Sequence, residues 1–113
     1  LNTFAPFIPT GAGTKVLASV YDFGAIYANV VGVITNTVPV DAYRGAGRPE
    51  ANLTIERVMD HAARVLGVDG FDLRARNVIK TFPYPMISGE AVDCGDFARV
   101  LAVAKDRADV AGL

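Results

Sequence analysis

The sequence predicts an α+β fold in which buried β-strand structure leads through a glycine- and arginine-rich loop into three helices. Three observations predict it. Apolar side chains occupy both faces of residues 26–36 by twos, one apolar stripe at helical spacing follows Pro49, and two later helix-sized runs open on an aspartate.

Residues 1–14 read as irregular, because Pro6, Pro9, Gly11 and Gly13 interrupt every period. A short strand is expected near residues 16–20 and a longer one over residues 26–36. In the longer one Ile26, Ala28, Val30 and Ile34 share one face and Tyr27, Val31, Val33 and Thr35 the other. A strand apolar on both faces is a strand covered on both sides.

The first helix follows Pro49, with Ala51, Ile55, Val58, Met59, Ala62, Val65 and Leu66 as its stripe. Pro49 suits the first helical position, Glu50 complements the positive end of the dipole, Arg64 sits in the last turn and Gly67 ends it. A second helix is expected over residues 70–77 with Asp69 as N-cap. A third is expected over residues 95–108, capped by Asp93, with Phe97, Val100, Leu101, Ala104 and Ala108 buried. Residues 80–90, with Pro83, Pro85 and Gly89, read as a loop.

Composition narrows the function. The 113 residues are 51% apolar with a net charge of −1, which excludes a disordered chain or a nucleic-acid-binding tail. Residues 1–40 carry only Lys15 and Asp22, while the remainder carries the other twenty-one charges. A third of a domain stripped of charge is expected to be covered by something. With Leu1 in place of a starting Met, the chain is expected to be a fragment. Residues 23–40 do not make a membrane span, since Asn29, Thr35, Asn36, Thr37 and Pro39 interrupt them and basic flanks are missing. A single cysteine, Cys94, allows no internal disulfide and points to a reducing cytoplasm.

The chemistry concentrates in residues 41–50, Asp-Ala-Tyr-Arg-Gly-Ala-Gly-Arg-Pro-Glu. Gly45 and Gly47 let backbone approach a ligand, a helix N-terminus follows, and Arg44 and Arg48 offer forks suited to phosphate or carboxylate. Two readings stand: a site for an anion or a cofactor phosphate, or a turn whose arginines pair with Asp41 and Glu50. A dinucleotide fingerprint fails, because Glu50 occupies the third glycine's place, and no Walker Lys-Ser/Thr follows. His61 reads as a helix-surface residue and Cys94 as a small packing residue whose pKa a helix dipole could lower; the two make no metal-ligand spacing.

The run of residues 38–51, Val-Pro-Val-Asp-Ala-Tyr-Arg-Gly-Ala-Gly-Arg-Pro-Glu-Ala, resembles the active-site loop of the large, molybdenum-binding subunit of aerobic carbon monoxide dehydrogenase-like enzymes, within the xanthine dehydrogenase and aldehyde oxidase family. Phe4-Ala5-Pro6, Ile8-Pro9-Thr10-Gly11, Thr35-Asn36-Thr37, Leu73-Arg74-Ala75-Arg76-Asn77, Phe82-Pro83-Tyr84 and Asp93-Cys94-Gly95-Asp96-Phe97 resemble further landmarks, so the likeness covers essentially the whole chain.

The resemblance implies part of a larger molybdopterin-binding domain. Residues 1–40 would be its buried strand region, 41–49 the active-site loop and 50–113 a helical region. It implies a molybdopterin cofactor in cytosine dinucleotide form, oxidation of a small carbonyl or heterocyclic substrate with water as oxygen source, and electrons leaving through [2Fe-2S] clusters to FAD on partner subunits or domains of a hetero-oligomer. Arg44, Gly45, Ala46, Gly47 and Arg48 match the cofactor-binding loop, with Arg44 as the catalytic-loop residue. The family's glutamate base matches nothing in Val110-Ala111-Gly112-Leu113. Gly45 stands where copper-binding members place a cysteine, and Ala46 where purine-oxidising members place an aromatic ring, so copper-dependent CO oxidation and purine stacking are both disfavoured. A stand-alone phosphate-binding module or a structural interaction fragment is the alternative.

Overall fold

A computed structural model describes residues 5–109. A single turn of 3-10 helix, Ala5–Phe7, leads into α1 (Ile8–Lys15). It is followed by α2 (Arg48–Leu66), α3 (Gly70–Asn77), the two-residue strands β1 (Tyr84–Pro85) and β2 (Ala91–Val92), and α4 (Phe97–Arg107). The class is α+β, with the strand content confined to the β1–β2 antiparallel hairpin and an isolated Tyr21–Val78 bridge.

The two central helices form as their sequences require. Pro49 lies in the first turn of α2, where its missing N–H costs nothing, and Gly67 closes the helix at φ 65°. The Val68 N–H reaches back to the Ala63 carbonyl at 3.0 Å, completing a Schellman-type end. Ala51, Ile55, Met59 and Ala63 are the buried face of α2, while Val58, Val65 and Leu66 from the expected stripe are exposed. The apolar spacing allowed a wider stripe than α1 and α3 cover. Asp69 caps α3 by accepting the Asp72 N–H at 2.9 Å.

Four expectations are corrected. Residues 8–15 are helical: Pro9 sits in the first turn, and of the two glycines that read as breakers Gly13 packs against the loop before α2 while Gly11 faces the Phe7 ring. The irregular reading of residues 1–4 lies outside the described residues, as does the tail at 110–113. Residues 16–20 form successive turns, with Ser19 N–H bonded to Val16 O at 2.9 Å and Tyr21 N–H to Ala18 O at 3.0 Å. Residues 26–36 have no regular secondary structure and reach a bend at Asn36; no second strand among the described residues supplies a ladder for them. The third helix starts at Phe97, not at residue 95. Its cap is Asp96, which accepts the Arg99 N–H at 3.1 Å, whereas Asp93 accepts only the adjacent Cys94 N–H. Phe97 and Leu101 are half-buried, but Val100, Ala104 and Ala108 are exposed, and α4 has no fully buried residue.

The core joins α2 to the two segments that meet beside it. Tyr21, Ile55, Met59 and Val78 pack together, flanked by Val20, Phe23, Leu73 and Phe97, and Ile79 is the most deeply buried large side chain. Around the Tyr21–Val78 bridge the Asp22 N–H bonds Asn77 O at 2.7 Å and the Ile79 N–H bonds Val20 O at 2.9 Å. Tyr84 Oη donates to Asp22 Oδ1 at 2.6 Å and ties the hairpin to the same place. The radius of gyration is 16.2 Å, above the roughly 13 Å of a compact domain this long. The excess is consistent with residues 24–43, which are exposed apart from half-buried Ile26.

Candidate functional site

The loop before α2 is built from two overlapping turns. The Ala46 N–H bonds Tyr43 O at 2.8 Å and the Arg48 N–H bonds Gly45 O at 3.0 Å. Gly45, Ala46 and Gly47 have φ of 95°, 46° and 96°, three left-handed residues in a row. Two glycines adopt this cheaply; Ala46 holds it at a cost of about 1–2 kcal/mol, so its surroundings must enforce it. Its two glycine neighbours are each closely enclosed. A Cβ on Gly45 would lie 2.7 Å from Pro49 Cδ, and one on Gly47 would lie 2.7 Å from Gly13 N and against the Pro9 carbonyl oxygen.

The donors of this loop are largely free. Arg44 forms no ion pair or hydrogen bond among the described residues, and Arg48 reaches only its own loop, at 3.4 Å from Gly45 O. Asp41 accepts the Ala42 N–H and Glu50 forms no ion pair, so neither takes up an arginine. The backbone N–H groups of Gly47 and Glu50 likewise have no acceptor among the described residues. Of the two sequence readings, the turn closed by arginine–carboxylate pairs is absent. An unpartnered Arg44 guanidinium and an Arg48 guanidinium held only by a long contact to its own loop, beside unpartnered amides, fit an anionic, oxygen-rich ligand.

Two clefts flank the loop. One, of about 940 Å³, runs between α1, the first turns of α2 and the irregular segment; Gly13, Leu17, Phe23, Ile26, Val30, Gly47, Ala51 and Ile55 are among its walls. The other, of about 810 Å³, lies between α1, α2 and the hairpin, and Arg48 lines it with Lys15, Asn52, Glu90 and Phe97. Gly47 and Arg48 therefore face different clefts, and Arg44, Gly45 and Ala46 line neither. The sequence brought these five residues together as one loop; the fold spreads them around the end of α2.

Residues 1–78 match the molybdopterin cofactor-binding domain over more than two thirds of the chain. The chain belongs to that family. It is 34% identical over 90 residues to the nicotine 6-hydroxylase large subunit of Paenarthrobacter nicotinovorans, covering 80% of this chain and 11% of that protein. To the carbon monoxide dehydrogenase large chain of Hydrogenophaga pseudoflava it is 38% identical over 93 residues, covering 79% of this chain and 12% of that one. The crystal structure of quinoline 2-oxidoreductase from Pseudomonas putida 86 superposes with a TM-score of 0.83 at 26% identity, over 98% of this chain and 14% of that chain. The chain thus spans 11–14% of the length of these molybdopterin-family relatives.

A polar clasp escaped the sequence reading. Arg74, whose side chain is only 15% exposed, donates from Nε to Glu56 Oε2 at 2.8 Å and from Nη2 to Asp60 Oδ1 at 2.7 Å. Nη1 also donates to the Gly70 carbonyl at 3.1 Å, and Nη2 to the Glu56 carbonyl at 3.3 Å. Tyr21 Oη donates to Glu56 Oε1 at 2.8 Å. Burial disfavours a charge on Arg74, but Asp60 and Glu56 outweigh it and hold the guanidinium protonated. Burial, then the Glu56 carboxylate, push the Tyr21 phenol up, and Arg74 holds the Asp60 carboxyl below the usual carboxylate range. The available signal was the i, i+4 spacing of Glu56 and Asp60, two carboxylates on one helix face.

His61 is exposed on α2. Cys94 is exposed too, and the Asp93 carboxylate raises its thiol pKa, opposite to the lowering that a helix N-terminus would bring. Among the described residues no three His, Cys, Asp or Glu side chains gather as metal ligands, and no helix is long and apolar enough to cross a membrane.

Proposed function

We propose that this chain is the loop-bearing part of a molybdenum hydroxylase large subunit, and that residues 44–48 hold its molybdopterin cofactor. The observation that carries the reading is the pair of arginines free of any ion pair, around three left-handed residues at the start of α2. Arg44 would supply a permanent positive charge to the bound cofactor, Arg48 a second fork for an oxyanion, and Gly45–Gly47 backbone with no side chain to keep the group away. The cofactor, in its cytosine dinucleotide form, supplies the redox chemistry, the oxygen incorporated coming from water. This chain's residues bind and orient it, and [2Fe-2S] and FAD partner subunits or domains of a hetero-oligomer carry electrons away.

The substrate is a small carbonyl or heterocyclic compound. The relatives named for nicotine and quinoline support a nitrogen heterocycle, and Ala46 has no ring to stack on a purine. The reaction is copper-independent: Gly45 offers no ligand atom, and the Pro49 ring fills the space where a side chain would begin.

The test uses the intact subunit with its partners. Arg44→Ala is expected to lower turnover and molybdenum retention, while Arg64→Ala on the exposed face of α2 leaves both near wild type. Equal activity in both variants, or stoichiometric copper on which CO oxidation depends, would overturn the proposal.

A further inference from the structure

We infer that Gly13 on α1 is a positioning residue for the cofactor loop, an inference that rests on the function proposed above. It is the one buried residue of α1, and a Cβ there would stand 2.8 Å from the Gly47 carbonyl oxygen. That oxygen accepts the first hydrogen bond of α2, from the Ala51 N–H at 3.0 Å. The reciprocal approach is as close: a Cβ on Gly47 would meet Gly13 N at 2.7 Å and the Pro9 carbonyl. Two backbones therefore touch with no side chain between them, at the peptide that ends the loop and begins the helix.

This contact bears on the peptide that follows Ala46, which stands at positive φ. A left-handed alanine persists only where its neighbours leave no other choice. The Pro49 ring closes one side at Gly45, and α1 closes the other at Gly47. The turn after α1 is itself anchored, Ser19 Oγ lying 3.1 Å from Asn52 Oδ1 on α2. A methyl at position 13 must push the Gly47 carbonyl away, turning the loop and with it the directions in which Arg44 and Arg48 are presented.

Gly11 supplies a matched control on the same helix. The three atoms nearest a Cβ there all belong to the Phe7 ring, the first at 2.7 Å, and that residue is 66% exposed and free to swing aside. In the intact subunit with its partners, Gly13→Ala is expected to lose molybdenum and pterin while Gly11→Ala retains them. Amide exchange reads the loop independently of the cofactor. In Gly13→Ala the amides of Ala46, Arg48 and Ala51 should exchange about tenfold faster or more, as overpacking of ordinary size implies, with the Ile79 amide unchanged. Full cofactor content with unaltered loop exchange in Gly13→Ala, or equal acceleration at Ile79, overturns the inference. A wild-type subunit devoid of molybdenum and pterin would sink the proposed function, and the exchange comparison would still decide the role of Gly13. Should Gly13→Ala fail to accumulate, wild-type exchange decides: the Val16 amide, bonded to Gly13 O, opens together with those of Ala46 and Arg48 if the inference holds, and separate rates refute it.

Discussion

The meeting point of Tyr21 and Val78 and the irregular segment at residues 24–42 draw on the same kinds of residue and end differently. At the first, Tyr21 is 2% exposed and Ile79 1%, and backbone, phenol and guanidinium all have partners. In the second, Tyr27, Val33, Ile34 and Val38 are 90%, 74%, 91% and 88% exposed, on backbone with no ladder. Hydrophobicity does not separate them. What separates them is whether neighbouring chain is supplied: α2 and α3 provide walls for Tyr21, whereas nothing described stands beside Ile34. Contiguous apolar exposure on this scale marks a surface made to be covered.

Mutations can break that contrast. Ile79→Ala should have the largest effect, lowering unfolding stability by about 3 kcal/mol or more in a denaturant titration, because it opens a hole where the chain is most tightly packed. Arg74→Ala should follow, at about 2–3 kcal/mol, since it leaves the Glu56 and Asp60 carboxylates without their cation. Third is an acid titration. Asp60 has its pKa lowered in the folded protein from 3.8. Its contribution is thus fully present above that value and fades as the pH falls through the folded-state pKa. Asp60→Asn should flatten the acid limb of the stability curve below about pH 4 while leaving neutral pH less affected than Arg74→Ala does. The smallest effect belongs to the other region. Ile34→Asp should shift unfolding of this chain by less than about 0.5 kcal/mol. The same change in the intact subunit should impair assembly, measured as yield and size-exclusion profile.

Legibility in the sequence followed the range of the forces involved. The ends of α2 at Pro49 and Gly67 and the Asp69 cap of α3 are decisions made within four residues, and they were readable. The cap of α4 was misplaced by three residues because Asp93 and Asp96 are equally good acceptors on paper, and only Asp96 reaches an amide three residues on. Helix α1 is not legible locally, because Pro9, Gly11 and Gly13 all oppose a helix by propensity, whereas Gly13 serves a contact 34 positions away. Alternation in residues 26–36 reported what those side chains need on each face, and the chain described does not supply it. The loop itself was found, through its glycines and arginines, but the way it splits between two clefts depends on α1 and could not be seen locally.

The Tyr21–Val78 bridge has an architectural consequence. It pins two points of the chain side by side, so that everything from residue 22 to residue 77 is an arch standing on adjacent feet. The footing belongs to Val20, Tyr21, Val78 and Ile79, while the span carries the glycine- and arginine-rich loop before α2. Residues can then be added to or removed from the crown of the arch, between Gly24 and Val40, at the small cost of a longer closed loop and without moving α1 relative to the end of α3. A scaffold so arranged can vary the approach to a site while leaving its foundation in place.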